Sequence, residues 1–401
     1  MNSFVYYTPT KVYFGKGREN EIGDICKSYG YKKVFIIYGG QSAVKSGLIE
    51  RVQDSLAKAG IESDKAGGVH ANPLISRTRE MVEQAIEFGP DLILGVGGGS
   101  VIDTAKTVAH GAANPQVDVW DYYEKKATIE KSTPVAAILT IAAAGSEMSD
   151  SAVQTNSGRI PPMKCGTNSE FNRCKFAVLN PELTYTLPAF QIGSGAADIF
   201  LHTSERYFTT KELTGNHMSD EIAEGLFRNI IKYGPIGVKN PTNYEAMSEI
   251  MWSSTISHND ITGLGTKAGG GRGGDWACHQ LGQAMSALYD STHGASLSAV
   301  WASWARYTCD ANIERFAQYA RNVWGLDGDD ETIAKEAIDK TENWFKELGQ
   351  PVTLTDLLGF EVTDEIIEKI ADNCSRGKSR TIGQLKVLTN EDMINIYKMA
   401  R

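Results

Sequence analysis

The hydrophobic pattern changes its period once along this chain, near Pro188. Before it, short apolar runs alternate with amphipathic stretches. Residues 33–38 (KVFIIY), 91–96 (DLILGV) and 135–139 read as buried strands, and 48–59, 76–88 and 101–112 as helices between them. Such alternation implies parallel strands joined by crossover helices. After Pro188 the strand signal almost vanishes, and 221–233, 244–258, 330–348 and 364–373 carry helical spacing of apolar residues. The prediction is an N-terminal α/β domain with a parallel sheet over 1–187, followed by an all-α domain over 188–401. A length of 401 residues suits two domains, and a ligand cleft between them is the expected place for chemistry.

Residues 95–106 read GVGGGSVIDTAK, in which a buried strand ends, glycines turn the chain and a helix begins. Glycines let the backbone approach an anion, and a helix N-terminus offers unpaired N–H groups and a positive dipole end. A pyrophosphate suits Gly97, Gly98, Gly99 and Ser100, which makes the first domain a candidate nucleotide-binding domain; the bland alternative is a tight turn capped by serine. The loop lacks the G-x-G-x-x-G spacing and follows a later strand, so it is not an ordinary Rossmann site. A second glycine turn, Gly39-Gly40 with Ser42, follows the strand at 33–38. No acidic residue stands there to hold a ribose 2′-hydroxyl, whereas Ser42 and Lys45 suit a 2′-phosphate, which favours NADP(H) over NAD(H). A plain surface turn is the alternative.

Four residues of the second half form a metal-ligand pattern. Asp198 and His202 are four apart in a helical stretch and share a face. His279 opens another helix, and His293 precedes Gly294. One carboxylate and three imidazoles suit Fe²⁺ or Zn²⁺, leaving net positive charge to polarise a carbonyl. Each histidine alone is more often structural than a ligand. His70, His110, His217 and His258 lack such partners in the sequence and stay unassigned. The net charge of −9 argues against nucleic acid or an anionic membrane as partner. Six scattered cysteines without a C-x-x-C pair fit free thiols in a reducing cytoplasm, and neither a secretory leader nor an apolar run long enough to span a membrane is read.

The segments GGGSVIDTAK (97–106), LTIAAAGSEMS (139–149), FAVLNPELTYTLP (176–188), GAADIFLHTSERY (195–207) and DWACHQLGQAMSALYDSTHG (275–294) together resemble the iron-containing, or group III, alcohol dehydrogenases. The butanol dehydrogenase and NADPH-dependent aldehyde reductase branch is the most similar. The resemblance runs in order over nearly the whole chain. It implies a dehydroquinate synthase-like two-domain fold, an NAD(P)H cofactor and one divalent metal, held by Asp198, His202, His279 and His293. It places Asp103 near cofactor and substrate, and Thr140, Ser149, Lys164 and Leu179 around the nucleotide. It further implies a small aldehyde or alcohol as substrate and a homodimer as the assembly.

The chain departs from that pattern in three places. Gln283 stands where a second histidine is usual, and Gln cannot carry a proton. Ala144 replaces a usual threonine. Trp301 and Trp304 follow His293 where the family differs, either as core or as walls of a substrate pocket. Three other readings stay open: a glycerol-type polyol dehydrogenase, a dehydroquinate synthase-like lyase needing basic residues such as those of KAGGGR (267–272), and a nucleotide- and metal-binding scaffold without turnover.

Overall fold

The computed structural model describes residues 2–209, 217–266 and 273–401; KAGGGR at 267–272 lies outside them. The chain divides into two compact units, Thr8–Thr186, and Met1–Tyr7 with Leu187–Arg401.

The first unit carries strands β1 (Lys11–Phe14), β2 (Lys33–Tyr38), β3 (Glu62–Ala66), β4 (Leu92–Gly97), β5 (Val135–Leu139), β6 (Ser151–Asn156), β7 (Met163–Asn168) and β8 (Phe176–Leu179). Its helices are α1 (Ile22–Ser28), α2 (Gln41–Lys45), α3 (Leu48–Lys58), α4 (Ile75–Phe88), α5 (Gly99–Ala113) and α6 (Val119–Tyr123). Six strands form one sheet in the order β1-β8-β5-β4-β2-β3, with every pairing parallel. Both faces are covered, which explains the continuous apolar runs. Val34, Ile36, Leu92, Leu94 and Val96 pack on Ile22 and Ile25 of α1 and Leu48, Val52 and Leu56 of α3. The alternate residue Phe35 meets Phe88 of α4, with ring centres 6.0 Å apart. α5 lies so close on β4 that a Cβ on Gly95 would stand 3.3 Å from Ala105 Cβ.

Five strands carry no long apolar run and are not read from the pattern. β3 (ESDKA) is a largely exposed edge. β6 and β7 form a separate antiparallel hairpin, Ser151 opposite Asn168 and Asn156 opposite Met163, built from Ser, Gln, Thr and Asn. β1 and β8 are four residues each, short enough to leave no period to detect.

The second unit is helical: α7 (Ala189–Tyr207), α8 (His217–Lys239), α9 (Tyr244–Ser257), α10 (Ala277–Tyr289), α11 (His293–Thr308), α12 (Ile313–Trp324), α13 (Asp330–Glu347), α14 (Leu354–Leu358), α15 (Asp364–Cys374) and α16 (Asn390–Met399). Phe200 of α7 sits at the centre of its aromatic core. Its ring meets Phe227 of α8 at 4.7 Å, Trp301 of α11 at 5.5 Å and Trp344 of α13 at 5.3 Å. Trp301 and Trp304 are both core residues, and the Trp301 indole N–H donates to Ser204 Oγ at 2.8 Å. A buried indole with its polar handle satisfied is a packing element.

None of the six cysteines is in a disulfide, and all are buried. Burial pushes the Cys26 and Cys174 thiols up to about 12, and those of Cys309 and Cys374 up to about 11. Among the described residues no helix is long and apolar enough to cross a membrane.

Candidate active site

The chain runs from β2 to β3 on one side, then returns to place β4 on the other side of β2, and continues outward to β5. The strand order therefore reverses between β2 and β4, and their carboxyl ends are where an open α/β sheet binds ligands. Both glycine turns are at that point. Tyr38 is in register with Val96, so Gly39-Gly40 and Gly97-Gly98-Gly99 leave the sheet side by side.

The three glycines of the second turn answer to space rather than to backbone conformation, since none has a positive φ. A Cβ on Gly97 would stand 2.5 Å from Val101 Cγ2, one on Gly98 3.0 Å from Ile141 Cβ, and one on Gly99 3.0 Å from Ala144 Cβ. Gly98 is the N-cap of α5 and makes no side-chain cap, so the first N–H groups of α5 are offered at the sheet end. Thr140 is held beside them by its N–H bond to the Gly97 carbonyl at 3.0 Å. Across the switch point Gly40 caps the short α2, and Gly40, Ser42 and Lys45 are exposed.

Asp103, the fifth residue of α5, turns its carboxylate inward. Oδ1 accepts from Ser146 Oγ at 2.5 Å and Oδ2 from the Val153 N–H at 3.0 Å. Lys106, fully buried one turn later, has its ammonium 3.9 Å from Asp103 Oδ1 and donates to Ser146 Oγ at 2.9 Å and the Ser151 carbonyl at 2.6 Å. Burial raises the Asp103 carboxyl and lowers the Lys106 ammonium, and their mutual attraction opposes both shifts. Ser149 belongs to this network, its Oγ 3.3 Å from Lys106 Nζ. Lys164, on β7, donates to Asn72 Oδ1 at 2.7 Å. Leu179 ends β8 as a fully buried residue.

In the helical unit, α7 presents Asp198, His202 and Glu205 along one buried face. α10 contributes His279 from its first turn, after Trp276 adopts the left-handed conformation (φ 61°) that turns the chain into the helix. α11 begins at His293. Gly294 brings that helix end against α7, for a Cβ there would stand 2.0 Å from the Ser194 carbonyl oxygen. The result is a focus of ligand atoms. Asp198 Oδ1 stands 3.7 Å from His202 Nδ1, 3.7 Å from His279 Nε2 and 3.6 Å from His293 Nε2. The ligand atoms of Asp198, His279 and His293 all lie within 4.8 Å of one another, a set that does not include His202. The His202 ring stands beside them, 4.7 Å from that of His279.

Asp198 Oδ1, His202 Nδ1 and His279 Nε2 are buried and make no hydrogen bond among the described residues. Such atoms are costly unless something satisfies them. Four ligands about 2.1 Å from a tetrahedral ion lie roughly 3.4 Å apart, close to the spacing seen. The residues fit a divalent cation of borderline softness. Burial, then the neighbouring His258, drives the His202 imidazole well below its usual range, so it is neutral as a ligand must be. At His279 burial works in the same direction, but the neighbouring carboxylates of Asp198 and Glu205 outweigh it and raise the imidazole.

Several residues of this site are not singled out as site residues in the sequence. Glu205 accepts from the His279 backbone N–H at 2.8 Å and is 3.0 Å from its Nδ1. His258 packs its ring 4.1 Å from that of His202. Trp276 covers His279 with rings 5.2 Å apart, and the Arg206 guanidinium lies 4.8 Å over the Trp276 ring. Asp275 is raised to about 7 by burial and by the nearby Glu205. Of these, only Glu205 has a pattern to find: it continues the Asp198–His202 face one turn on. Gln283 falls one turn after His279 on α10, half-buried.

Known proteins match this chain from end to end. The family model for iron-containing alcohol dehydrogenase matches residues 9–181, and that for the C-terminal part of the Fe-containing alcohol dehydrogenase family matches residues 193–401. NADH-dependent butanol dehydrogenase A of Clostridium acetobutylicum is 37% identical, with 99% of each chain covered. The NADPH-dependent aldehyde reductase of Escherichia coli is 34% identical, with both chains covered in full. The crystal structure of NADH-dependent butanol dehydrogenase A from Thermotoga maritima superposes with a TM-score of 0.93 at 38% identity, covering 100% of this chain and 99% of that one. Two family models that together match nearly the whole chain, and relatives above 30% identity along its full length, settle the kinship: the chain belongs to the iron-containing alcohol dehydrogenase family and is an oxidoreductase.

Proposed function

We propose that this protein is a metal-dependent reductase of small aldehydes that prefers NADPH. The observation that carries the reading is Asp198 Oδ1, buried without a hydrogen bond and facing three imidazole nitrogens at 3.6–3.7 Å. Asp198, His202, His279 and His293 are the proposed ligands of one Fe²⁺ or Zn²⁺. Such an ion, when bound, supplies Lewis-acid polarisation of a carbonyl oxygen. Gly97, Gly98, Gly99 and Ser100 hold the pyrophosphate through the N–H groups that open α5, with Thr140 alongside. Gly39, Gly40 and Ser42 receive the adenosine ribose, and the exposed Ser42 and Lys45 offer a hydroxyl and an ammonium to its 2′-phosphate. Asp103, Ser149, Lys164 and Leu179 complete the cofactor side; Asp103 and Ser149 act through the Lys106 network that fixes the start of α5. A bound nicotinamide cofactor would supply the hydride for the carbonyl carbon. Gln283 orients by hydrogen bonding and carries no proton, so water or a hydroxyl delivers the proton that completes the alcohol.

Relatives divide on the cofactor, those named butanol dehydrogenase being NADH-dependent and the aldehyde reductase NADPH-dependent. The absence of a carboxylate from the Gly39-Gly40-Gln41-Ser42 turn supports NADPH here. A homodimer in the cytoplasm accompanies this reading, on the frequency of two-fold assemblies and the free thiols; equilibrium sedimentation checks the dimer. The test of function is NADPH and NADH oxidation with butanal, before and after chelation and with Fe²⁺ or Zn²⁺ restored. Turnover faster with NADPH, lost on chelation and regained with the ion, is expected. Turnover that survives removal of the ion would defeat the metal assignment, and equal or faster rates with NADH the cofactor assignment.

A further inference from the structure

Of the imidazoles around Asp198, His279 is tied to a second carboxylate on the same helix as the first. Glu205 is 1% exposed, seven residues after Asp198 on α7. Its Oε1 receives both the backbone N–H of His279, at 2.8 Å, and the ring Nδ1, at 3.0 Å. A carboxylate offers lone pairs only, so Nδ1 must bear the hydrogen. In a neutral ring that leaves the lone pair on Nε2, the atom 3.7 Å from Asp198 Oδ1 that makes no hydrogen bond. The two bonds from one oxygen also fix where α10 begins and which way the ring points.

The attachment extends into the chain beyond. The Glu205 backbone carbonyl accepts from the Asp275 N–H at 2.7 Å. Asp275 in turn caps the Ala277 N–H at 3.1 Å with Oδ1, and receives the Gln384 and Leu385 N–H groups at 2.6 and 2.7 Å with Oδ2. Glu205 thus joins the helix carrying two proposed ligands to the turn that presents a third, and that turn is itself pinned to the 383–385 segment.

We propose that Glu205 is a positioning residue that fixes the tautomer and direction of His279 for metal binding, an inference that rests on the metal-dependent reading above. The test starts from metal-free protein titrated with Zn²⁺ by calorimetry, with circular dichroism as the check of folding. Glu205→Ala should weaken Zn²⁺ binding by ~10–100-fold, the usual loss for a carboxylate behind a ligating histidine. Glu205→Gln, whose amide oxygen can still accept both N–H groups, should restore most of the affinity. A folded Glu205→Ala protein that binds Zn²⁺ like the parent defeats the positioning role alone. A parent that takes up no Zn²⁺, Fe²⁺ or Co²⁺ defeats the metal centre and the proposal with it. The ring tautomer supplies a measurement independent of both metal and variant stability. In metal-free parent protein, at a pH high enough that the ring is neutral, histidine ¹⁵N spectra, with the signal identified by His279→Asn, should show hydrogen on Nδ1 and none on Nε2. Hydrogen on Nε2 would overturn the proposal even if Glu205→Ala failed to fold.

Discussion

At the scale of single residues, a small change at the sheet end tests the cofactor reading. Gly40 is exposed, and a Cβ there meets nothing within 4 Å, so a side chain costs no packing. Gly40→Asp puts a carboxylate where a 2′-phosphate would lie. Like charges repel and a ribose hydroxyl gains an acceptor. The ratio of kcat/KM for NADPH to that for NADH should fall by about 10-fold or more, the equivalent of roughly 1.4 kcal/mol. An unchanged ratio would mean that the 38–42 turn does not hold the ribose. What the sequence lets one read at this scale depends on how far apart the partners are. Asp198 and His202 share a helix face, so their spacing alone suggests a pair. That His279 and His293 join them at 3.6–3.7 Å depends on how three helices pack, which no local spacing encodes. His258 lies outside any motif, and only the fold brings its ring to His202. Lys106 is the reverse case: its sequence reads as an ordinary helical lysine, yet it is fully buried with Asp103.

At the scale of elements, the approach of α11 to α7 sets the geometry of the ligand focus. Gly294→Ala would place a methyl group 2.0 Å from the Ser194 carbonyl oxygen. α11 must then back away and take His293 with it. The expected cost is about 1–3 kcal/mol of stability, as for other overpacked sites, together with weaker Zn²⁺ binding. Gly225→Ala on α8 is the control, since its Cβ would meet only the end of Arg228 at 3.8 Å. It should be neutral or stabilise by about 0.5–1 kcal/mol through helix propensity. Urea unfolding and calorimetric titration of both variants separate the two effects; equal behaviour would show that the α7–α11 approach is not tight. The elements most legible in the sequence are those buried on both faces, β2, β4 and β5, because apolar runs bounded by turns have few other uses. The polar hairpin β6–β7 and the exposed edge β3 are defined by their neighbours' hydrogen bonds, which leave no hydrophobic period.

At the scale of the whole molecule, the proposed ion would link α7, α10 and α11, helices already tied by the Glu205–His279 and Trp301–Ser204 hydrogen bonds. A ligand that binds the folded form stabilises it by about 2.7 kcal/mol at 100 times its Kd. For a chain of 401 residues that is on the order of 3 °C in Tm. Chelation should therefore lower the first thermal transition by that amount, while NADPH fluorescence still reports binding to the chelated protein. Loss of NADPH binding along with the metal would show that the two assignments are not separable. The change from parallel sheet to helical array is legible because the hydrophobic period itself changes at Pro188, and because the two bury their side chains at different spacings; that Met1–Tyr7 groups with the helical unit has no such signal. The reversal of strand order that brings the two glycine turns together is a property of topology. It follows from which strands pair, and the strands' own sequences do not state that.

The sealed cysteines turn the protein into a recorder of its own opening. Cys26, Cys165 and Cys174 lie in one unit and Cys278, Cys309 and Cys374 in the other, all buried. A reagent dissolved around the folded chain finds no thiol to attack, so every alkylated position marks an excursion that uncovered it. Three such witnesses in each half, read out by the mass of the tagged peptides, tell which half yields first.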